Sequence, residues 1–119
     1  MNTDLVLLME ENLRQVWSER NADRRRKALE GIYAKDSTLF EVGETFLGYD
    51  SINDQVSNIV NAMPATFIFT RLKPVIINNN IGRLIWGVGP KDQPPVATGM
   101  DIAVFENGRI KSLYVFLEK

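Results

Sequence analysis

Apolar residues recur at three- and four-residue spacing through Leu5, Leu8, Met9, Leu13, Val16 and Trp17, which predicts an amphipathic helix over residues 4–19. Thr3 or Asn2 is placed to cap it, with Asp4 in the first turn. Asn21 or Asp23 opens a second, shorter helix with the stripe Ala28, Leu29, Ile32 and Tyr33, and Gly31 weakens its last turn. Thr38–Val42 reads as a short strand and Gly43–Gly48 as a loop. Asp50 or Ser51 then caps a third helix carrying Ile52, Val56, Ile59, Val60 and Met63 on one face, with Pro64 just past its end.

Beyond Pro64 the period changes from helical to alternating. Residues 66–72 (TFIFTRL) predict a strand, Val75–Ile77 continues in extended form, and Asn78-Asn79-Asn80 signals a turn. Ile81–Val88 is a further strand, followed by the polar, proline-rich loop Gly89–Pro95. Val96–Phe105 and Arg109–Leu117 form a hairpin about Glu106-Asn107-Gly108, since Asn-Gly supplies the positive φ angles of a tight turn. Three helices followed by a mostly antiparallel sheet define an α+β domain with helices on one sheet face. At 119 residues, one domain over 1–119 is expected.

Composition narrows the chemistry more than the fold. There is no cysteine and no histidine. Disulfides, thiolate nucleophiles, Ser-His-Asp machinery and most transition-metal sites are thereby excluded, leaving carboxylates as the best candidates for proton transfer. The formal net charge of −1 gives no pull toward nucleic acid or an anionic membrane. No apolar run approaches the roughly 20 residues that span a bilayer. A cytoplasmic protein with no metal or nucleotide cofactor is expected. The run Arg24-Arg25-Arg26-Lys27 points around more than one helix face and reads as solvated surface.

Within this frame one residue stands out. Strand alternation puts Gly99, Asp101, Ala103 and Phe105 on one face, and Thr98, Met100, Ile102 and Val104 on the other. Neither face is polar. Buried there, Asp101 would become a neutral acid able to donate a hydrogen bond. Alternatively, it caps a backbone group or pairs with Arg71, Arg83 or Arg109. Glu41, between Phe40 and Val42, presents the same choice between an apolar enclosure and a strand end open to solvent. Trp17 and Trp86 are core aromatics or ligand contacts.

The order of elements, with IYAKDSTLFEV after the second helix and DIAVFENGRIKSLYVF at the end, resembles the nuclear transport factor two-like superfamily, also called the SnoaL-like or ketosteroid isomerase-like fold. The resemblance implies a conical α+β barrel, in which three N-terminal helices pack on a strongly curved sheet around an internal pocket. Over the bacterial steroid isomerase pattern, it puts Glu41 at the general base and Asp101 at the protonated hydrogen-bond donor. Trp17 falls at the oxyanion-hole tyrosine and Tyr33 at a supporting tyrosine. Glu for Asp lengthens the base by one methylene, and Trp for Tyr replaces an acidic phenol with an indole.

Trp17, Tyr33, Val56, Trp86, Leu113 and Val115 are the expected ligand-binding residues. A cofactor-independent isomerase, cyclase or epoxide hydrolase, a non-catalytic binder of a small apolar ligand, and a dimeric scaffold all fit these residues. With Asp101 pointing inward, Met100, Ile102, Val104, Ile110, Tyr114 and Phe116 face outward, and a homodimer through this outer face is expected.

Overall fold

The computed structural model describes residues 2–118, with side chains described over 4–118, so the cap expected of Thr3 or Asn2 lies outside the described side chains. The first helix is two pieces. α1 spans Asn2–Asn12, and a π-helical turn follows over Leu13–Trp17. In that turn Ser18 N–H donates to the Leu13 carbonyl at 2.8 Å, one residue further back than an α-helix allows. The wide turn buries Leu13, Val16 and Trp17 together.

α2 spans Ala22–Ile32, capped by Asn21, whose Oδ1 accepts from Arg24 N–H at 2.9 Å. Tyr33 does not end its stripe. It opens β1, Tyr33–Glu41, a strand longer than Thr38–Val42 because its polar stretch Lys35–Ser37 masks the alternation. Residues 43–48 are not all loop either: Glu44–Leu47 is β2, folded back on β1 around Gly43 at φ 83°. α3, Tyr49–Asn61, starts from Gly48 at φ 85° with no side-chain cap, so neither Asp50 nor Ser51 has that role. At its other end Arg20 donates to the carbonyls of Val60 (2.8 Å) and Pro64 (2.7 Å), satisfying groups the helix leaves open.

The remaining strands are β3 Phe67–Arg71, β4 Ile76–Asn78, β5 Ile81–Pro90, β6 Ala97–Glu106 and β7 Arg109–Glu118. They form one sheet in the order β2-β1-β7-β6-β5-β3, with β4 also on β5; β1–β7 is parallel and every other pair antiparallel. The sheet curves without closing into a barrel, with β2 and β3 at its ends. Asn107 (φ 52°) and Gly108 (φ 76°) make the tight turn between β6 and β7.

The concave face carries the core, including Leu39, Leu84, Ala103, Phe105 and Leu113, against Met9, Leu13, Val16, Leu29, Ile52 and Val56 from the helical side. On the convex face lie the half-buried Met100, Ile102 and Val104 and the exposed Tyr114 and Phe116, with Phe40 stacked on Tyr114 at 4.5 Å between ring centroids. Ile110 is not among them. A register shift between Val104 and Phe105 lets Ser112 face Val104 while Ile110 faces Phe105, which turns Ile110 into the core. Among the described residues no helix is long and apolar enough to cross a membrane.

The basic run is also not uniformly solvated. Arg25 is fully buried between α2 and α3, donating to Asn53 Oδ1 (2.7 Å), the Glu19 carbonyl (2.8 Å) and Ser57 Oγ. Its neighbours remain accessible because only one residue in such a run can face the α3 packing side. Arg25→Ala strands buried acceptors and is expected to cost about 2–4 kcal/mol in urea unfolding. Arg25→Lys, lacking the guanidinium fork, recovers less than half of that.

Candidate active site

Helices and sheet do not meet everywhere. Between the π turn, α3 and the concave face a cavity of about 440 Å³ remains, open at one side. Leu13, Trp17, Gln55, Ile59 and Met63 line it from the helices. Glu41, Val42, Phe69, Trp86, Val88, Ala97, Asp101, Val115 and Leu117 line it from the sheet. Most of this wall is apolar, and no Lys or Arg is among the lining residues. Trp17, Phe69 and Trp86 meet edge to face in sequence, with ring centroids 5.8 and 5.2 Å apart.

Strand register sets the two acids. Phe40 pairs Tyr114 in parallel, so Glu41 comes abreast of Val115, and Val115 pairs Asp101. Glu41, Val115 and Asp101 thus form one row across three strands, the acids two strand spacings, or about 10 Å, apart at their backbones. Asp101 is 3% exposed, and its Oδ1 accepts from the Trp86 indole N–H at 2.8 Å. Burial raises its pKa to about 7, against a smaller lowering by the Trp86 hydrogen bond. Among the described residues no arginine pairs with it: Arg71 pairs with Glu10 at 3.1 Å, Arg109 donates to the Glu30 carbonyl at 3.2 Å, and Arg83 lies opposite Ile102 on the other sheet face.

Glu41 is half-buried at the cavity's side, its Oε1 accepting from Gln55 Nε2 at 2.7 Å. Burial pushes its pKa up, the Gln55 hydrogen bond holds it down, and the nearby Glu44 charge adds to the rise.

Of the expected ligand-binding residues, Trp17, Trp86 and Val115 are in the wall, whereas Tyr33, Val56 and Leu113 lie beneath it in the core. Tyr33 is fully buried and donates its hydroxyl to Asn12 Oδ1 at 2.7 Å, so its proton is directed away from the cavity. Burial, with the Asp101 charge second, drives its pKa far above the usual tyrosine range. The Trp17 indole N–H is buried beside the Tyr33 hydroxyl and opposes that rise.

Sequence reasoning missed Gln55 and Phe69. Gln55 is the polar interruption in the apolar face Ile52, Val56, Ile59, a sign that this part of α3 faces something other than core. Among the described residues no three carboxylates gather to hold a metal ion.

An open curved sheet with helices over its concave side is the architecture of the nuclear transport factor two-like, or SnoaL-like and ketosteroid isomerase-like, fold. A candidate isomerase of the SnoaL-like family from Agrobacterium tumefaciens superposes with a TM-score of 0.87 at 21% identity, over 98% of this chain and 99% of that one. A candidate polyketide cyclase from Sinorhizobium meliloti gives 0.73 at 16% identity over 97% and 98%. A candidate ketosteroid isomerase from Kribbella flavida gives 0.73 at 10% identity over 98% and 79%. No protein-family model matches the sequence, and no curated protein is similar to it. At these identities the likeness establishes the fold.

The folded protein holds a proton on Asp101 between the ordinary carboxyl pKa near 4 and its raised value of about 7. Stability therefore falls as pH rises through that window and levels off above it, by an amount on the order of a few kcal/mol. Asp101→Asn keeps an acceptor for Trp86 and cannot ionise. Thermal or urea unfolding from pH 4 to 8 is expected to show this decline in the wild type and a flatter profile in the variant.

Proposed function

We propose that the cavity binds a small, uncharged, largely apolar molecule through a carbonyl-type oxygen and moves a proton on it, as an isomerase or cyclase. The observation that carries this reading is the pair of acids on one row of the concave face, both lining an otherwise apolar cavity. Protonated Asp101 donates to the ligand oxygen, with the Trp17 ring as part of the wall beside it. Glu41, whose Oε1 is held by Gln55, takes a proton from a carbon adjacent to the carbonyl through Oε2. The electron pair of the broken C–H bond moves onto the oxygen, where the Asp101 hydrogen bond stabilises the enolate. Glu41 then returns the proton to a different carbon of the conjugated enolate, which completes an isomerisation, or the enolate carbon attacks a second carbonyl of the same molecule, which closes a ring and leaves an alkoxide that takes the proton back from Glu41.

Without basic residues in its wall, the cavity disfavours carboxylate and phosphate ligands. In this reading the protein works in the cytoplasm, needs no cofactor, and has neither nucleic acid nor membrane as a partner. The convex face, with Phe40, Ile102, Tyr114 and Phe116 open on it, pairs with a second copy of the chain.

Deuterium exchange into enolisable cyclic ketones, followed by NMR, tests the chemistry. The rate is expected to be bell-shaped in pH, rising as Glu41 ionises and falling above about 7 as Asp101 loses its proton. Glu41→Gln is expected to slow exchange by roughly 10²–10⁴-fold while ketone affinity changes only a few-fold. Equal exchange in wild type and Glu41→Gln, with binding retained, would instead make the protein a non-catalytic binder. For the convex face, sedimentation is expected to show a dimer that Tyr114→Glu with Phe116→Glu converts to a monomer, leaving ketone binding in place.

A further inference from the structure

We infer that Trp86, seated on Gly99, is a positioning residue that keeps the Asp101 proton on Oδ2, the oxygen left for a ligand. The inference rests on the reading above, in which Asp101 donates into the cavity. β5 and β6 run antiparallel with Trp86 opposite Gly99 and Leu84 opposite Asp101, so Trp86 and Asp101 are diagonal neighbours. To reach Asp101, the indole has to lie across the strand at residue 99. A Cβ built there would fall inside van der Waals contact of the Trp86 Cζ2 and Cη2 atoms and 2.7 Å from the Phe116 carbonyl oxygen. The ring occupies the space that any side chain at 99 would need.

Phe69 meets the indole edge to face, at 5.2 Å and 71°, and Trp86 is only 5% exposed. The ring is thus fixed both by the strand at 99 and by Phe69. An indole N–H can only donate, so Oδ1 acts as acceptor in either protonation state of Asp101, and the carboxyl proton belongs on Oδ2. The other titratable groups near Asp101 are Tyr33 from β1, which keeps its proton, and Glu41 across Val115. No lysine or arginine lines the cavity to compete for Oδ2.

Two titrations without any ligand test this. In the wild type, the Trp86 indole ¹H–¹⁵N signal is expected to be slow to exchange with solvent at pH 5, where Asp101 is protonated. It should move further downfield with the midpoint of the Asp101 carboxyl ¹³C signal, about 7. In Trp86→Phe that carboxyl midpoint is expected to rise by roughly half to one pH unit, because a bond favouring the ionised form is lost. Gly99→Ala, which retains both tryptophans, should raise it in the same direction.

An indole signal that exchanges freely at pH 5, or that ignores the Asp101 titration, overturns the inference, and this measurement needs no variant to fold. A midpoint that is unchanged or lowered in Trp86→Phe overturns it too, a lowering meaning that Trp86 merely keeps water from Asp101. If these titrations behave as expected while ketones exchange no faster than in buffer, the proton-transfer reading fails and the placement of the Asp101 proton stands.

Discussion

A single sheet with helices enough for one of its faces governs this molecule. α1, α2 and α3 all lie on the concave side, and the curvature that lets them pack also keeps them from filling it. α1 approaches β4 and β5, α3 approaches β1 and β2, and the π turn spans toward β3. The space between these contacts is the cavity, so the site is what the packing of straight helices on a bent sheet leaves over. The convex side inherits the opposite problem, with aromatic and β-branched residues and no helix above them.

Chemistry enters because the leftover space is walled by apolar residues and two acids. A carboxyl in such a space, with no cation to oppose it, is held toward its neutral form by desolvation. Asp101 shows the full effect, while the single indole hydrogen bond only tempers it. The π turn meets the same cavity from the helical side, burying Trp17 against Phe69. π turns interrupt α-helices at a cost in regular hydrogen bonding, and they concentrate where a side chain must be aimed.

Much of this was legible in the residues. The helical and alternating periods located α2, α3, β3 and the β6–β7 hairpin, and the alternation around Asp101 put it on the face with Gly99, Ala103 and Phe105, where it lies. What could not be read depended on contacts distant in sequence. β1 was truncated because Lys35 and Asp36 look like a loop until the parallel pairing with β7 is known. β2 was hidden by its shortness and exposed side chains. Ile110 was assigned outward because a one-residue bulge reverses alternation without a composition signal. Arg25 sits in a run of like charges, and only the packing of α2 on α3 distinguishes it from its neighbours. In the site, Glu41, Asp101, Trp17 and Trp86 were visible as polar or aromatic residues in apolar settings, whereas Tyr33, Val56 and Leu113 differ from the wall only in depth.

In the proposed mechanism, depth also divides the labour between the acids. Were Glu41 and Asp101 equally buried, desolvation would not set them apart as base and donor. Asp101 sits under the sheet's inner wall with one hydrogen-bond partner, whereas Glu41 stands at the opening, half in solvent, with Gln55 favouring its ionised form. Desolvation therefore raises the two pKa values by different amounts. In the proposed mechanism that difference leaves Glu41 as the carboxylate and Asp101 as the carboxylic acid on the same row. The one-methylene reach of Glu over Asp matters less in this arrangement than where along the wall the carboxyl emerges. That position is fixed by the register of β1 on β7, and hence by the fold itself.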